Sequence, residues 1–214
     1  MRKELIGPLL GIGFIVVLVI SFLVMGDEPP EADEGGQAVI DHYVENKDSI
    51  QASAVIGVVA ALLLVFFANY LRRVFAEAGE VTLSATVLVG AAIVATAAAI
   101  DGTISFALAE AAEDLDPAAA QAVQAIWDND WLPFALGILI FLFSAGIATL
   151  KSGVLPAWLG WAAIVLAVVG LTPIGFAAFL GAAIWILVVS GLLLARANRG
   201  TEPPAVAPPP PAAP

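Results

Sequence analysis

The sequence predicts an all-α fold, a polytopic membrane helix bundle with six transmembrane helices. Three observations carry that reading. Hydrophobic residues make up 61% of the chain and charged residues 13%, against roughly 45–50% and about 25% in soluble domains. A mean hydropathy of +0.98 leaves a soluble fold no means of covering its apolar surface. The 214 residues also divide into apolar runs with short polar joints, each near the ~20 residues that cross a bilayer. One bundle domain is expected over residues 1–200, with acidic external segments at 27–49 and 110–130. Residues 201–214 are expected to form a disordered, Pro-rich cytoplasmic tail.

The first span is Leu5–Met25, preceded by Arg2 and Lys3. A cleaved signal peptide competes with it and would leave five spans. The run of ~21 residues exceeds the 7–15 of a signal core, which favours a retained helix. Asp27–Glu34 is too acidic for lipid and is expected to be flexible. Val39, Ile40, Tyr43 and Val44 then mark one face of a short helix over Gln37–Ser49. The second span is Ile50–Tyr70, closed by Arg72 and Arg73.

The third, Val81–Ile100, is rich in Ala where the others are rich in Leu, Val, Ile and Phe. A helix that small suits contact with protein more than with lipid, so it is expected at the bundle centre. Asp116-Pro117 reads as an N-cap followed by Pro at the first helical position, opening a helix over Pro117–Trp127. The fourth span is Leu132–Leu150, the fifth Leu155–Leu171 and the sixth Ile174–Leu194, with Thr172-Pro173 as the last tight turn. Seven of the last twelve residues, Pro203–Pro214, are proline, a composition that favours an extended, unpacked chain.

Six spans place Arg2, Lys3, Arg72, Arg73, Lys151, Arg196 and Arg199 on one side and only Lys47 on the other. That asymmetry predicts cytoplasmic termini in the cell membrane. Fourteen of the nineteen acids then fall outside, eight in Asp27–Asp48 and six in Glu110–Asp130. Trp127 and Trp131 are expected at the outer membrane edge and Trp158 and Trp161 at the inner one. Trp185 falls in mid-span, where its indole N–H requires an acceptor.

Small residues at four-residue spacing mark close helix contacts. Ala91, Ala95, Ala98, Ala99 and Gly102 do so on the third span. Ala177 and Gly181, with Ala178 and Ala182, do so on the sixth, and Gly7 and Gly11 on the first. Packing within the chain is their expected use, with self-association as the alternative. Asp101 is the one acid flanked by apolar sequence on both sides, and intramembrane acids are ion or proton sites by default. Its depth weakens that reading, because Val81 to Asp101 spans ~30 Å at 1.5 Å per residue and ends at the membrane boundary. Thr103 and Ser105 are its expected helpers.

The chemistry the sequence argues against is broad. The chain has no Cys, which removes thiol chemistry and Cys-ligated metals. Its eight Lys plus Arg give no basic face for nucleic acid. His42, the one histidine, sits between Asp41 and Glu45 on an expected surface helix and makes no metal site alone. Asp114-x-Asp116 and Asp128-x-Asp130 do not match a twelve-residue calcium loop with its closing Glu. Phosphate loops and hydrolase motifs are missing as well. No cofactor, metal or catalytic set is therefore expected.

Lys151–Trp161, KSGVLPAWLGW, resembles the loop and start of the penultimate span in a group of small multi-spanning membrane proteins from high-GC actinobacteria. The Leu-Thr-Pro turn and the final span containing Trp185 fit the same group. The resemblance covers Leu132–Leu194 best and implies architecture alone, since no activity comes with it. The expected role is a non-enzymatic structural or protein-interaction component of the cell membrane. Its expected partners are the lipid bilayer and another membrane protein or a second copy of the chain. The alternative is a small proton- or cation-coupled transporter or channel using Asp101.

Overall fold

Every element that the computed structural model of the chain describes, over residues 3–172 and 175–199, is helical. In order these are α1 (Lys3–Met25), α2 (Gly36–Glu45), α3 (Lys47–Glu77), α4 (Val81–Ala111), α5 (Pro117–Trp127), α6 (Trp131–Ser152), α7 (Ala157–Val169) and α8 (Gly175–Arg199). Single 3-10 turns at Ala32–Glu34 and Ala112–Asp114 complete the path. The expected tail at 201–214, Arg2, and Pro173 of the last turn lie outside the described residues.

Six of the helices close a ring. α1 packs on α3, α3 on α4, α4 on α6, α6 on α7 and α7 on α8, which returns to α1. Five stretches are long and apolar enough to cross a membrane: Leu5–Met25, Lys47–Glu77, Val81–Asp114, Pro117–Ser152 and Ala177–Asn198. The chain is therefore built as a helical membrane protein. The sixth expected span departs from expectation. α7 has only 13 residues, or ~20 Å of helix against ~30 Å of hydrocarbon. Pro156 caps it at one end and the turn at Gly170 stops it at the other. Six helices thus pack as a bundle while five have spanning length, and the shortfall belongs to α7 rather than to the first segment.

The Ala-rich helix is a member of the ring rather than its centre, and it is not the most buried span. The most apolar window of Pro117–Ser152 is 50% buried, that of Val81–Asp114 only 28%. Two of α6's glycines meet glycines of its ring neighbours. A Cβ on Gly137 would stand 3.0 Å from the Gly90 carbonyl of α4, and one on Gly146 would stand 2.7 Å from the Gly160 carbonyl of α7. At such crossings backbone packs on backbone, the contact that substitutes for the hydrophobic effect within lipid. Large side chains then fill the interior, among them Phe67, Leu71, Phe75, Leu142, Leu159 and Val189, all essentially inaccessible. Leu23, Leu62, Val81 and Ile184 point outward from the ring and are exposed.

The expected stripe of small residues on α4 splits. Ala91 and Gly102 are buried, Ala95 is half-buried and Ala99 is exposed. A strict four-residue step drifts by about 40° each time on a helix of 3.6 residues per turn, so Ala99 has rotated off the face that Ala91 occupies. The residues that stay on a packed face are Ser84, Val87, Gly90, Ala91 and Ala97. Gly102 faces Ala54 of α3 at ordinary contact distance, 3.6 Å. On α8, Gly181 lies against Leu166 of α7 and Ala178 is buried, while Ala177 is exposed. Gly7 and Gly11 of α1 seat the Tyr70 and Phe67 rings of α3.

Candidate functional site

One end of the ring carries a small folded cap. α2 and α5 pack on each other there, and Gly36 is required because a Cβ would strike the Pro117 carbonyl that opens α5. The Asp116 carboxylate accepts from the Ala118 N–H at 2.9 Å, the cap bond its sequence position predicts. Val39, Tyr43, Ile50, Leu108 and Ala120 form a separate apolar core beneath it. The acidic stretch before α2, expected to be flexible, is held instead. Ala32 donates its N–H to Asp128 Oδ2 at 2.9 Å and accepts from Gln121 Nε2 at 2.7 Å. Both partners lie about ninety residues away, a tie that local composition does not encode.

Asp101 sits where cap meets bundle. It lines a cavity of about 130 Å³ together with Tyr43, Ser53, Ser105, Trp127 and Phe134. Three helices meet at this cavity: α4 carries Asp101, α2 brings Tyr43 and the end of α5 brings Trp127. The Trp127 indole lines the same cavity, and Asp130, the residue before α6, carries a buried carboxyl oxygen. Neither Trp127 Nε1 nor Asp130 Oδ2 finds a hydrogen-bond donor or acceptor of good geometry within the protein, although both atoms are buried. Tyr43 is fully inaccessible and its hydroxyl also lacks such a partner, with Ser105 close by. Burial first, then the negative charges of Asp101 and Asp128, push the Tyr43 phenol up, so it keeps its proton as a donor.

The expected helpers are differently engaged. Thr103 donates to the Ala99 carbonyl at 2.6 Å and Ser105 to the Asp101 carbonyl at 3.1 Å, both bonds within α4. Beside the cavity, Ser21 of α1 and Ser53 of α3 exchange hydroxyl-to-carbonyl bonds of 2.9 and 3.0 Å. Lys47 pairs with Glu110 at 3.2 Å away from it.

A second, open groove of about 920 Å³ runs beside the cap, lined by Glu28, Glu31, Asp33, Glu34, His42 and Asp128 among others. His42 is half-buried rather than solvated, with its ring edge-on to Tyr43 at 5.7 Å. Burial holds its imidazole below the ordinary value, against the pull of Asp27 and Glu45. No group of three or more His, Cys, Asp or Glu among the described residues is placed to hold a metal ion. Asp128 binds Ala32 and Gln124 with its two oxygens, so the Asp128-x-Asp130 pattern serves the fold. Trp131, Trp158 and Trp161 are exposed, as interfacial residues are, whereas Trp127 belongs to the site. Trp185 is buried and donates to the Leu159 carbonyl at 2.9 Å.

Sequence reasoning singled out Asp101 and missed Tyr43 and Trp127. Tyr43 reads as the apolar face of a helix, and Trp127 as a membrane-edge aromatic. Only the fold brings them together. No protein-family model matches the chain, and no curated protein and no solved structure matches it.

Proposed function

We propose that this is a non-enzymatic, multi-pass protein of the cell membrane, with cytoplasmic termini and an acidic external cap that serves as an interaction or structural surface. One observation carries the reading: the segment with the highest density of acids is folded onto the bundle as a cap, bonded to residues about ninety positions away. A merely solvated loop needs no such bonds. The basic residues of the chain favour the end opposite the cap for the cytoplasm. The acids along the cap groove suit a partner with a basic surface.

Purification of the full chain in mild detergent, followed by cross-linking from cap lysine-reactive and carboxyl-reactive positions, tests the reading. A specific partner or a second copy attached at the cap is expected. Recovery of the protein alone and monomeric would sink it.

A second reading, a proton- or cation-coupled transporter, draws on the cavity at Asp101. The ring interior beyond that cavity is filled by apolar side chains such as Phe67, Leu71 and Leu142, which weighs against a path. Unchanged flux in proteoliposomes carrying Asp101→Asn would remove its basis.

A further inference from the structure

The cavity beneath the cap is unevenly lined. Asp101 brings it a carboxylate, and no Lys or Arg among the described residues lines it. The ion pair found among those residues, Lys47–Glu110, does not involve Asp101. A carboxylate taken out of water without a positive partner is costly, and a guest can bring the charge that the wall lacks. The serines do not supply a substitute. Ser21, Ser53 and Ser105 donate their protons to backbone carbonyls and keep only acceptor lone pairs.

The rest of the wall sets the kind of cation. Phe22, Tyr43, Trp127 and Phe134 bring four aromatic rings to it, with aliphatic side chains between them. Aromatic faces attract an organic cation without asking hydrogen bonds of it. A hard metal ion such as calcium takes about six to eight oxygens, which this wall does not offer. Size points the same way. The cavity measures about 130 Å³; one of ~150 Å³ takes a benzene-sized guest, whereas pockets for drug-sized ligands begin near ~300 Å³. Tyr43 adds a donor, because it is fully inaccessible and its hydroxyl has no partner within the protein. An oxygen on the guest would satisfy it. The approach favours a cation as well. Cavity and acidic groove share Pro29 and Trp127, and acids along the groove raise the local concentration of positive solutes. Phe22, which also lines the cavity, is 61% exposed, so lipid-facing surface borders it too.

We propose that this cavity is a binding site for a small alkylated ammonium group with a nearby oxygen, of the choline type. Its charge pairs with the Asp101 carboxylate, its methyl groups pack on the Tyr43, Trp127 and Phe134 rings, and its oxygen accepts from the Tyr43 hydroxyl. A free molecule arriving from the groove and a lipid headgroup arriving past Phe22 carry the same chemistry. The site needs neither a protein partner at the cap nor a path through the ring.

Equilibrium binding of labelled choline to the full chain in a sugar-headed detergent tests this, with sodium chloride holding ionic strength constant. One saturable site per chain is expected, emptied by tetramethylammonium and not by potassium, a result that needs no variant. Asp101→Asn should weaken choline at least about tenfold and Trp127→Leu about fivefold. Tyr43→Phe should weaken choline about fivefold and leave competition by tetramethylammonium as it was. Asp114→Asn, on an exposed acid outside the cavity, should change neither. Bilayer discs separate the two sources. Choline should bind in discs of a neutral glycolipid as it does in detergent. Loss of that binding in phosphatidylcholine discs identifies a lipid headgroup as the occupant, and its persistence there identifies a free molecule. Absence of saturable binding in both detergent and glycolipid discs overturns the site. So does binding that Asp101→Asn leaves unchanged, or equal displacement by potassium, which would indicate an inorganic-cation site.

Discussion

The bundle and its cap are both helical, yet they are held together by different physics. In the ring, α4 meets α6 and α6 meets α7 through glycine pairs, Gly90 with Gly137 and Gly146 with Gly160, and large apolar side chains fill what remains. Ser21 and Ser53 bond across α1 and α3 and the Trp185 indole reaches the Leu159 carbonyl, while the buried hydroxyls of Thr149 and Ser190 have no partner within the protein. In the cap, the apolar core is small, and long-range polar bonds from Gln121 and Asp128 do much of the fixing. Tyr43 and Trp127, whose buried polar atoms lack partners within the protein, line the cavity at the seam between the two. The bundle relies chiefly on shape, with few polar bonds between its helices, whereas the cap is tied by polar bonds between distant segments.

That contrast can be broken at the ring first. Gly137→Leu places a side chain where the backbone of α4 already lies, and should cost about 3 kcal/mol, the upper range for overpacking. Denaturant unfolding of the whole chain in mixed micelles would read it, with cap and bundle lost together. Gly36→Val makes the corresponding clash in the cap, against Pro117, and should cost about 2 kcal/mol. Here hydrogen exchange should rise in α2 and α5 while α6 and α8 keep their protection; equal loosening of all four would deny the cap its separate status.

Smaller changes sharpen the comparison. Asp116→Ala removes the N-cap of α5 and should cost about 1 kcal/mol, again confined to the cap and visible as fraying of α5. Trp185→Phe deletes a bond inside the ring and should cost about 0.6 kcal/mol, the mean for polar pairs within a bilayer. A shift in unfolding midpoint much larger than that would mean that the indole also wedges the helices apart. The exposed Lys47–Glu110 pair should contribute least, and Lys47→Ala should matter less still as salt is raised.

Much of this architecture was legible in the chain. Apolar runs marked all six helices of the ring, although the fifth, read as a span, is the 13-residue α7, and Asp116-Pro117 announced α5 to the residue. The greater burial of α6 was not legible. Ala content signals that a helix can approach another closely, but Gly137 and Gly146 set which helix does so. Their effect depends on a glycine opposite, on another helix. The failure at Ala99 has the same origin, since a four-residue spacing drifts around the helix and only the neighbour decides which side is covered.

For the site, the sequence by itself determined one member. Asp101 stood out because an acid between apolar runs is costly wherever it lies, a property local to the residue. That it shares a cavity with a buried phenol and an indole was decided by tertiary structure alone. Tyr43 and Trp127 come from two polar segments on opposite sides of two spanning helices, and each reads as ordinary in its own stretch. Hydropathy is summed residue by residue and survives in the linear chain. The meeting of Asp101 with Tyr43 and Trp127 depends on how the cap settles on the ring, a matter of three-dimensional distance that no single stretch contains.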